Sequence, residues 1–565
     1  MQRKWSYLPL PSANEVADFQ GFLSASHLTL TLLLQRNIKD LEAAKAFFNP
    51  SLADLHDPFL MQGMSKAVQK IIQAIRQKKH IRIYGDYDVD GTTSVALFCK
   101  VLKQLYGNVS YYIPDRYQEG YGVSEQGISQ AIRDEVGLLI CVDCGTRDIE
   151  QLGRAKSGNI DVIICDHHEP GNHLPPAVAI LNPKQKACNY PFRELSGCGI
   201  VFKLLQGLLQ RTHNSSLDLY SYLDLVVLSI AADIVPMVGE NRILAHHGLI
   251  TINQSKRPGI NALKALSYPK QNLNIKDIVF RIAPYINAAG RVNHASIAVE
   301  LLMAQTQDKA KKIATILEQN NTKRKAMDEE LLKEALHMIE SEQTNRLTTV
   351  LYKDTWSKGV VGIGAARCVE NCYRPTILLT KENEQLVGSA RSVVGYNIYE
   401  ALKKCQKWLT KYGGHAYAAG LSLPYQHFSS FRADFEEVVR KTWRVSTRVA
   451  SQVIDVKLNF RDLTKVFCKT IDRMRPFGPD NQQPVFSTEP VIAIDYKLYQ
   501  NKHLMLLLKD GTSSQLWKAI GFNMGGYLPL VQKRNKLTIA YQVENNTYQG
   551  LLSKQLIIKD IKPYT

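Results

Sequence analysis

The sequence predicts an α/β protein built from a large parallel-sheet domain, a long connecting helix, a second α/β domain and a small C-terminal β-barrel. Three observations carry that expectation. Short β-rich runs, Ile81-Arg82-Ile83-Tyr84, Leu138-Leu139-Ile140-Cys141-Val142 and Asp161-Val162-Ile163-Ile164, alternate with helical patterns, the signature of βαβ units. A stretch from Asp308 to about Glu342 keeps a helical apolar period and contains no Gly or Pro. After residue 449, several short β-type runs follow one another at the spacing of a small barrel.

Residues 1–75 are expected to be helical and peripheral; Asp40-Leu41-Glu42-Ala43-Ala44-Lys45-Ala46-Phe47-Phe48 predicts a short helix stopped by Asn49-Pro50. The large domain is assigned to residues 76–300. Its first strand runs into the acidic turn Gly85-Asp86-Tyr87-Asp88-Val89-Asp90-Gly91, and Thr92 to Leu105 predicts the helix that follows. Residues 240–300 are mixed and hold the turn-rich string Asn287-Ala288-Ala289-Gly290-Arg291. The connecting helix is assigned to residues 301–345, where Lys and Glu surround Ile313, Leu317, Leu331, Ala335 and Ile339. Residues 346–448 return to an α/β pattern and contain the Gly-rich string Tyr412-Gly413-Gly414-His415-Ala416-Tyr417-Ala418-Ala419-Gly420. In residues 449–565 the β-type runs are Val485-Phe486, Val491–Ile494, Leu504–Leu508, Leu537–Tyr541 and Leu556–Ile558.

At 565 residues the chain exceeds what one hydrophobic core serves, and two to four domains are expected. A net charge of +18 and a pI near 9.3 favour a polyanionic partner, nucleic acid before membrane surface. No apolar stretch approaches the roughly 20 residues that cross a bilayer, and no apolar run follows Arg3-Lys4, so neither a membrane span nor a signal peptide is expected. The ten cysteines are scattered through apolar contexts and are expected to be buried, reduced thiols of a cytoplasmic protein. Cys141 and Cys144 form a C-x-x-C without a second pair at zinc-ribbon spacing; two small residues flanking Asp143 account for it.

Each β-rich run of the large domain ends in carboxylate or imidazole: Asp86, Asp88 and Asp90 after the first, Asp143 after the second, Asp166-His167-His168 after the third. Neighbouring parallel strands bring such ends to one edge, where open α/β sheets bind ligands. Carboxylates this dense cannot share a pocket without cations, because like charges at close range repel. Oxygen ligands with one or two imidazoles suit manganese or magnesium better than a thiolate-rich zinc site. The Asp86-Asp88-Asp90 alternation lacks the Gly and distal Glu offsets of a calcium loop. A solvated turn is the plain alternative for one D-x-D, and it loses ground when acids end the comparable strands too. Adjacent side chains on an extended segment point apart, which assigns His167 to metal, Asp166 to orienting a ring N–H and His168 to the scissile phosphate. Asp233 follows the helical run Leu223 to Ile230 and could complete a metal shell or simply end a helix.

Taken in order, these strings resemble the DHH phosphoesterase superfamily and, within it, the bacterial single-strand-specific exonucleases. The resemblance covers almost all of the chain after residue 75. It rests on Gly85–Gly91, Pro114–Gly122, Val142-Asp143, Asp166-His167-His168, Ser196-Gly197-Cys198-Gly199, Ala232–Pro236, Asn287–Arg291, Gly359–Ile363, Gly388–Ser392, Gly413-Gly414-His415 and Pro476–Asn481. It implies a DHH domain, a DHH-associated domain at 346–448 and an OB-like nucleic-acid-binding barrel at 449–565. It implies two ions, Mn2+ or Mg2+, shared by Asp143, with Asp90, Asp143, His167 and Asp233 on the better-held ion and Asp88, with Asp86 near it, on the other. It implies that Arg116, Ser389 and Arg391 hold a 5′ phosphate, a set well suited to a phosphate dianion. Arg291, Gly414 and His415 are expected along the nucleic acid. In the tail, Tyr499, Lys502 and Trp517, within a basic and aromatic set that includes Tyr496, Lys497, Lys518, Lys533 and Arg534, are candidate contacts to bases and phosphates.

The resemblance implies a 5′→3′ exonuclease that hydrolyses single-stranded DNA to 5′-mononucleotides in recombination and repair. It further implies a monomer without membrane contact, at the nucleoid, beside a helicase and a single-strand-binding protein. Shorter members of the superfamily act on oligoribonucleotides or cyclic dinucleotides; length and charge favour the exonuclease. A catalytically dead scaffold would have lost metal carboxylates, and every acidic position is filled here. Four positions depart from the pattern. Tyr84 stands where some relatives have His, which implies a looser second metal; Tyr285 stands near Asn287 where a basic residue is common; Asn293-His294 replaces two acids.

Overall fold

The computed structural model describes all residues except 1–2, 24, 268–271, 343–344, 534–535, 549–550 and 565. Its first sheet has five parallel strands in the spatial order Val109–Tyr112, His80–Gly85, Val136–Val142, Asp161–Cys165, Ala179–Leu181. Alternation along these strands feeds two cores. Ile81, Ile83, Leu138, Ile140 and Ile163 pack with the helices Met64–Arg76, Val89–Leu105 and Gly197–Thr212. Tyr84, Leu139, Cys141, Val162 and Ile164 pack on the other face with Ile128 and Leu152 of the helices Glu125–Arg133 and Ile149–Ser157. The strand His80–Gly85 is followed in sequence by the strand on one side of it and then by the strand on the other. The chain therefore reverses its direction of travel across the sheet beyond Gly85, and a crevice opens there.

The connecting helix runs from Gln307 to Ser341, with Thr306 as its N-cap. It starts later than the sequence pattern indicates because Ser296–Met303 is a helix of its own and Ala304 turns extended, ψ 135°. The second domain has a five-stranded sheet in the order Lys411–Gly414, Ala418–Pro424, Gln385–Arg391, Thr376–Glu382, Thr349–Tyr352, antiparallel except for the last pair. The C-terminal domain is a closed barrel of Phe486–Tyr499, His503–Asp510, Trp517–Gly521, Leu551–Pro563 and Leu537–Tyr548, shut by the pairing of the first with the last. Two short sequence runs merge into the single strand Phe486–Tyr499, which passes a bulge between Ala493 and Asp495, and Trp517–Gly521 is a strand the periodicity did not reveal. Among the described residues no helix is long and apolar enough to cross a membrane.

The N-terminal segment is less peripheral than its composition implies. Lys4–Tyr7 is a strand that pairs in parallel with Ser451–Ile454, and the Trp5 indole donates to Asp560 at 2.7 Å. Leu32 lies in the barrel core. The Arg36 guanidinium donates to the carbonyls of Leu32 and Gln482, both at 2.8 Å, and to Asp455 at 3.3 Å. Buried Arg242 of the first domain has no carboxylate partner among its bonds; it donates to the carbonyls of Phe47, Met474, Arg475 and Pro476 at 2.9 to 3.1 Å. Guanidinium forks thus tie the N-terminal segment, the first domain and the approach to the barrel together.

Deeper in the first domain, Lys203 and Glu240 form a fully buried ion pair at 3.1 Å, and Tyr190 donates to the same carboxylate at 2.7 Å. Removing one partner strands a buried charge. Glu240→Ala is expected to cost about 3–5 kcal/mol, whereas an apolar replacement of both partners recovers most of it. Urea denaturation monitored in the first domain checks this; equal midpoints for the single and double variants would count against it.

A candidate metal and phosphate cleft

The crevice is lined by the ends of three neighbouring strands. Asp88 caps the helix Val89–Leu105, its Oδ1 accepting from Gly91 N at 3.1 Å, and this turn throws Asp86 and Asp90 to the same side. Asp143 follows the next strand in the left-handed region, φ +58°, with its amide donating to Cys165 O at 2.9 Å. That conformation is uncommon for a non-glycine residue and re-aims the carboxylate into the crevice. Asp90 meets the start of the helix Gly197–Thr212: its oxygens accept from Gly197 N at 2.7 Å and Cys198 N at 2.8 Å, and from Ser229 Oγ at 2.7 Å. A Cβ on Gly197 would lie 2.9 Å from Asp143 Cβ and 3.1 Å from Asp90 Oδ2, so only glycine lets the helix end come this close.

Three groups of donor atoms lie within 4.8 Å of one another: Asp86, Asp88 and Asp143; Asp143, His167 and His168; and Asp90, His167 and Asp233. His167 Nε2 is 3.2 Å from Asp143 Oδ1, 3.6 Å from Asp233 Oδ2 and 3.7 Å from Asp90 Oδ2. A cation about 2.1 Å from each atom would sit comfortably among donors so spaced. The fit is supported by orphaned polar atoms: His167 Nε2 and Asp86 Oδ1 are buried and have no hydrogen-bond partner. Burial lowers the His167 imidazole to about 4, which keeps it neutral and able to ligate. Burial, then the charges of Asp90 and Asp88, raise Asp143 well above the usual carboxylate range; burial and Asp88 do the same to Asp86, and burial and Asp90 raise Asp88. Asp233, at the end of the helix Leu223–Ala232, keeps 31% of its side chain exposed, yet burial and the Asp90 charge raise it as well.

Asp166 does not point at this cluster. Its Oδ1 accepts from the amide of His167 at 2.8 Å and from His168 Nδ1 at 2.7 Å, and its Oδ2 accepts from Thr146 N at 3.0 Å. Burial works against its charge, but the charge and hydrogen bond of His168, the His167 charge and the bond from Thr146 together hold the carboxyl down. In return Asp166 overcomes the burial of His168 and lifts that imidazole to about 9. His168 remains 43% exposed at the mouth of the crevice. Tyr121, which sequence reasoning left without a role, lies 2.9 Å from its Nε2.

Facing the acids is a wall of cations. Arg116 lies over the Tyr87 ring, 4.1 Å from its centroid, and its Nε is buried without a partner. From the second domain, Arg391 Nη1 donates to Ser389 Oγ at 2.5 Å, so both expected phosphate ligands sit side by side on the strand Gln385–Arg391. Arg291 bridges the two domains: its Nη1 donates to Gly359 O at 2.7 Å, and its carbonyl accepts from Tyr117 Oη. Burial, then the neighbouring Arg116, Arg324 and Arg391, push the Arg291 guanidinium down to about 9, the mark of cations crowded without an anion. His415 is exposed in the hairpin behind Gly414, φ +144°; burial, Arg391 and His168 all lower it.

Other expected positions fall elsewhere. Tyr84 is buried on the far face of the sheet, stacked on Tyr112 and bonded to Ser124, and takes no part in the metal set. Tyr285 donates to Leu266 O at 3.1 Å, and His294 Nδ1 meets Ser296 Oγ at 2.9 Å beside the start of a helix. Trp517 is corrected from a DNA contact to a core residue: it is 4% exposed and packs with Phe460, because the barrel needs a large inward side chain there. Tyr499 and Lys502 are exposed at a hairpin end, where Tyr499 stacks on His503 and exposed Phe522 meets His503 edge-on. Phe522 went unnoticed in the sequence because it directly follows a strand whose pattern is weak. Arg534 lies outside the described residues.

Three family models match the chain: the DHH family N-terminal domain over residues 80–230, the DHHA1 domain over 344–441 and the RecJ OB domain over 454–560. The chain is 35% identical over 555 residues to the single-stranded-DNA-specific exonuclease RecJ of Bacillus subtilis (strain 168), covering 97% of this chain and 70% of that protein. It is 33% identical to the Escherichia coli (strain K12) protein of the same name, covering 89% and 91%. Its fold is similar to the crystal structure of RecJ in complex with Mn2+ from Thermus thermophilus, with a TM-score of 0.85 at 26% identity over all of this chain and 80% of that one.

The raised carboxyls set a pH dependence. Their native pKa values exceed the unfolded value near 4, so the metal-free native state binds the extra protons, and stability falls as pH rises through the native values. A cation must displace those protons. Mn2+ affinity is therefore expected to be higher at pH 8 than at pH 5.5, with protons released on binding. Calorimetry in two buffers of different ionisation enthalpy measures this, and binding without proton release would contradict it.

Proposed function

The chain belongs to the RecJ family of single-stranded-DNA-specific exonucleases, and on that premise we propose that its cleft hydrolyses DNA from the 5′ end, one nucleotide at a time. The chain is a metal-dependent hydrolase of single-stranded DNA. The observation that carries the polarity is the juxtaposition across one cleft of the acid clusters around Asp143 with the unneutralised cations Arg116, Arg291 and Arg391. Asp90, Asp143, His167 and Asp233 would hold one Mn2+ or Mg2+, and Asp86, Asp88 and Asp143 a second. Bound there, the ions would supply an activated water and offset charge on the attacking and leaving oxygens.

The protein's own groups do the rest. Arg116, Arg391 and Ser389 grip the terminal 5′ phosphate, which fixes the next phosphodiester over the carboxylates. Arg291 keeps the second domain at the cleft through Gly359. The amides at the start of the helix Gly197–Thr212 hold Asp90 at a fixed angle, and Asp166 holds His168. The barrel offers Tyr499, His503 and Phe522 as faces for bases, with Lys502 beside them for phosphate. An enzyme confined to single strands depends on strand separation, so the proposed partners are a helicase and a single-strand-binding protein. The proposed setting is recombination and repair at the nucleoid, with the chain acting as a monomer.

A single strand labelled at one end or the other, digested with Mn2+ or with chelator, tests the reading. The 5′ label is expected to leave first as a mononucleotide, and only with metal; early loss of the 3′ label would refute the polarity. Asp143→Ala is expected to lower the rate by on the order of 10³ or more while strands still bind. A strand with a 5′ hydroxyl is expected to be cut more slowly than its phosphorylated twin, and Arg391→Ala to abolish that difference. Tyr499→Ala with Phe522→Ala is expected to weaken binding of long strands about tenfold and to spare short ones. Unchanged long-strand affinity would take the barrel face out of the DNA path.

A further inference from the structure

Both ring nitrogens of His168 have a polar neighbour in the cleft. Its Nδ1 meets Asp166 at 2.7 Å and its Nε2 meets the Tyr121 hydroxyl at 2.9 Å. The hydroxyl extends this row toward Asp86 and Asp143, while Tyr121 as a whole is 58% exposed. A large aromatic so exposed at the mouth of a charged cleft is not there for the core.

The turn that presents Tyr121 is built for that purpose. Gly120 and Gly122 on either side both have positive φ, +85° and +87°, and a Cβ on Gly122 would lie 2.9 Å from Asp148 Oδ1. Asp148 accepts from Val123 N at 2.9 Å, and the buried Tyr84 hydroxyl accepts from Ser124 N at 2.9 Å and donates to Gly122 O at 3.3 Å. The ring is thus held from behind. In front it touches Tyr87 edge-on at 6.3 Å, the same ring that carries Arg116. Tyr121 therefore stands between the cation wall and the acid clusters, where the first nucleotide of a gripped strand has to lie.

We propose that Tyr121 is a catalytic residue, whose hydroxyl donates to a non-bridging oxygen of the scissile phosphate while His168 and Asp166 hold it, and whose ring walls the terminal nucleotide. A phosphate oxygen offers only lone pairs, whereas a phenol both accepts and donates. Asp166 accepts from Nδ1–H and Nε2 faces the phenol; when the phosphate arrives, the phenol turns its hydrogen to the phosphate oxygen. His168 is then a positioning residue. From the far face of the sheet, the buried Tyr84 hydroxyl steadies the same turn through Gly122 and Ser124.

This inference rests on the cleft reading above, and the kinetics separate the two. Single-turnover digestion of a 5′-phosphorylated strand at saturating Mn2+ is measured for Tyr121→Phe, Tyr121→Leu, His168→Ala and the Tyr121→Phe/His168→Ala double variant. Tyr121→Phe is expected to lower the maximal rate about ten- to hundredfold, the worth of one hydrogen bond to a charged group, with KM and Mn2+ affinity unchanged. Tyr121→Leu, which also loses the wall, is expected to raise KM as well. The double variant is expected to be no slower than His168→Ala alone, because the two groups act as one unit. A full rate in Tyr121→Phe beside an inactive His168→Ala would overturn the proposal and put His168 on the phosphate directly. Multiplying losses in the double variant, or a Tyr121→Phe defect cured by more Mn2+, would overturn it too. A full rate in His168→Ala would instead reject the cleft reading itself.

Discussion

Repulsion among the carboxylates of Asp86, Asp88, Asp90, Asp143 and Asp233 is the constraint on which the rest of this structure depends. Two like charges 4 Å apart cost about 4 kcal/mol even at an effective dielectric of 20. The protein relieves some of these acids itself and leaves others unrelieved. Asp90 has two backbone amides and a serine hydroxyl, and Asp166 has backbone amides and an imidazole. Asp86, with a single backbone amide, and Asp143 and Asp233 have fewer donors among the described residues, and all three are raised well above the usual carboxylate range. The unrelieved charge is what draws dications, and the relieved charge is what keeps the geometry fixed before they arrive.

The opposite wall repeats the logic with reversed sign. Arg116, Arg291 and Arg391 crowd one another, and Arg291 spends one of its donors on Gly359 across the domain boundary. A phosphate entering between the walls satisfies both. On the proposed reading, the substrate would be gripped at its end by guanidiniums and held over the acids by metal. The barrel is kept in register with this cleft by guanidinium-to-carbonyl forks, Arg36 and Arg242, rather than by a broad apolar face alone.

Much of this was legible in the chain because the informative residues sit where period and chemistry coincide. Apolar strands that stop abruptly at Asp86, Asp143 and Asp166 gave away both the parallel sheet and the edge where the acids meet. The long helix announced itself through the absence of breakers. Harder to see were features decided by geometry across the chain. Lys4–Tyr7 carries no alternating pattern, since its strand is half exposed, so its pairing with residue 451 onward leaves no local trace. Trp517 and Phe522 are close neighbours, and nothing in their composition says which one turns inward. Tyr121 stood within the string Pro114–Gly122 with no role of its own; its closeness to His168 exists only once two strand ends are side by side.

The pairing of Lys4–Tyr7 with Ser451–Ile454, and of Trp5 with Asp560, also has a bearing on how the molecule comes into being. A ribosome adding about 5–20 residues each second needs on the order of a minute to make the intervening stretch. Throughout that interval the first strand is outside the tunnel with its partner still unmade, and the aromatic face of Trp5 is open to water and to other chains. The parallel-sheet domain can close in the meantime, because its strands are all drawn from residues 80–181. Completion of the fold is therefore a late event, in which a strand made early waits to be captured by one made much later.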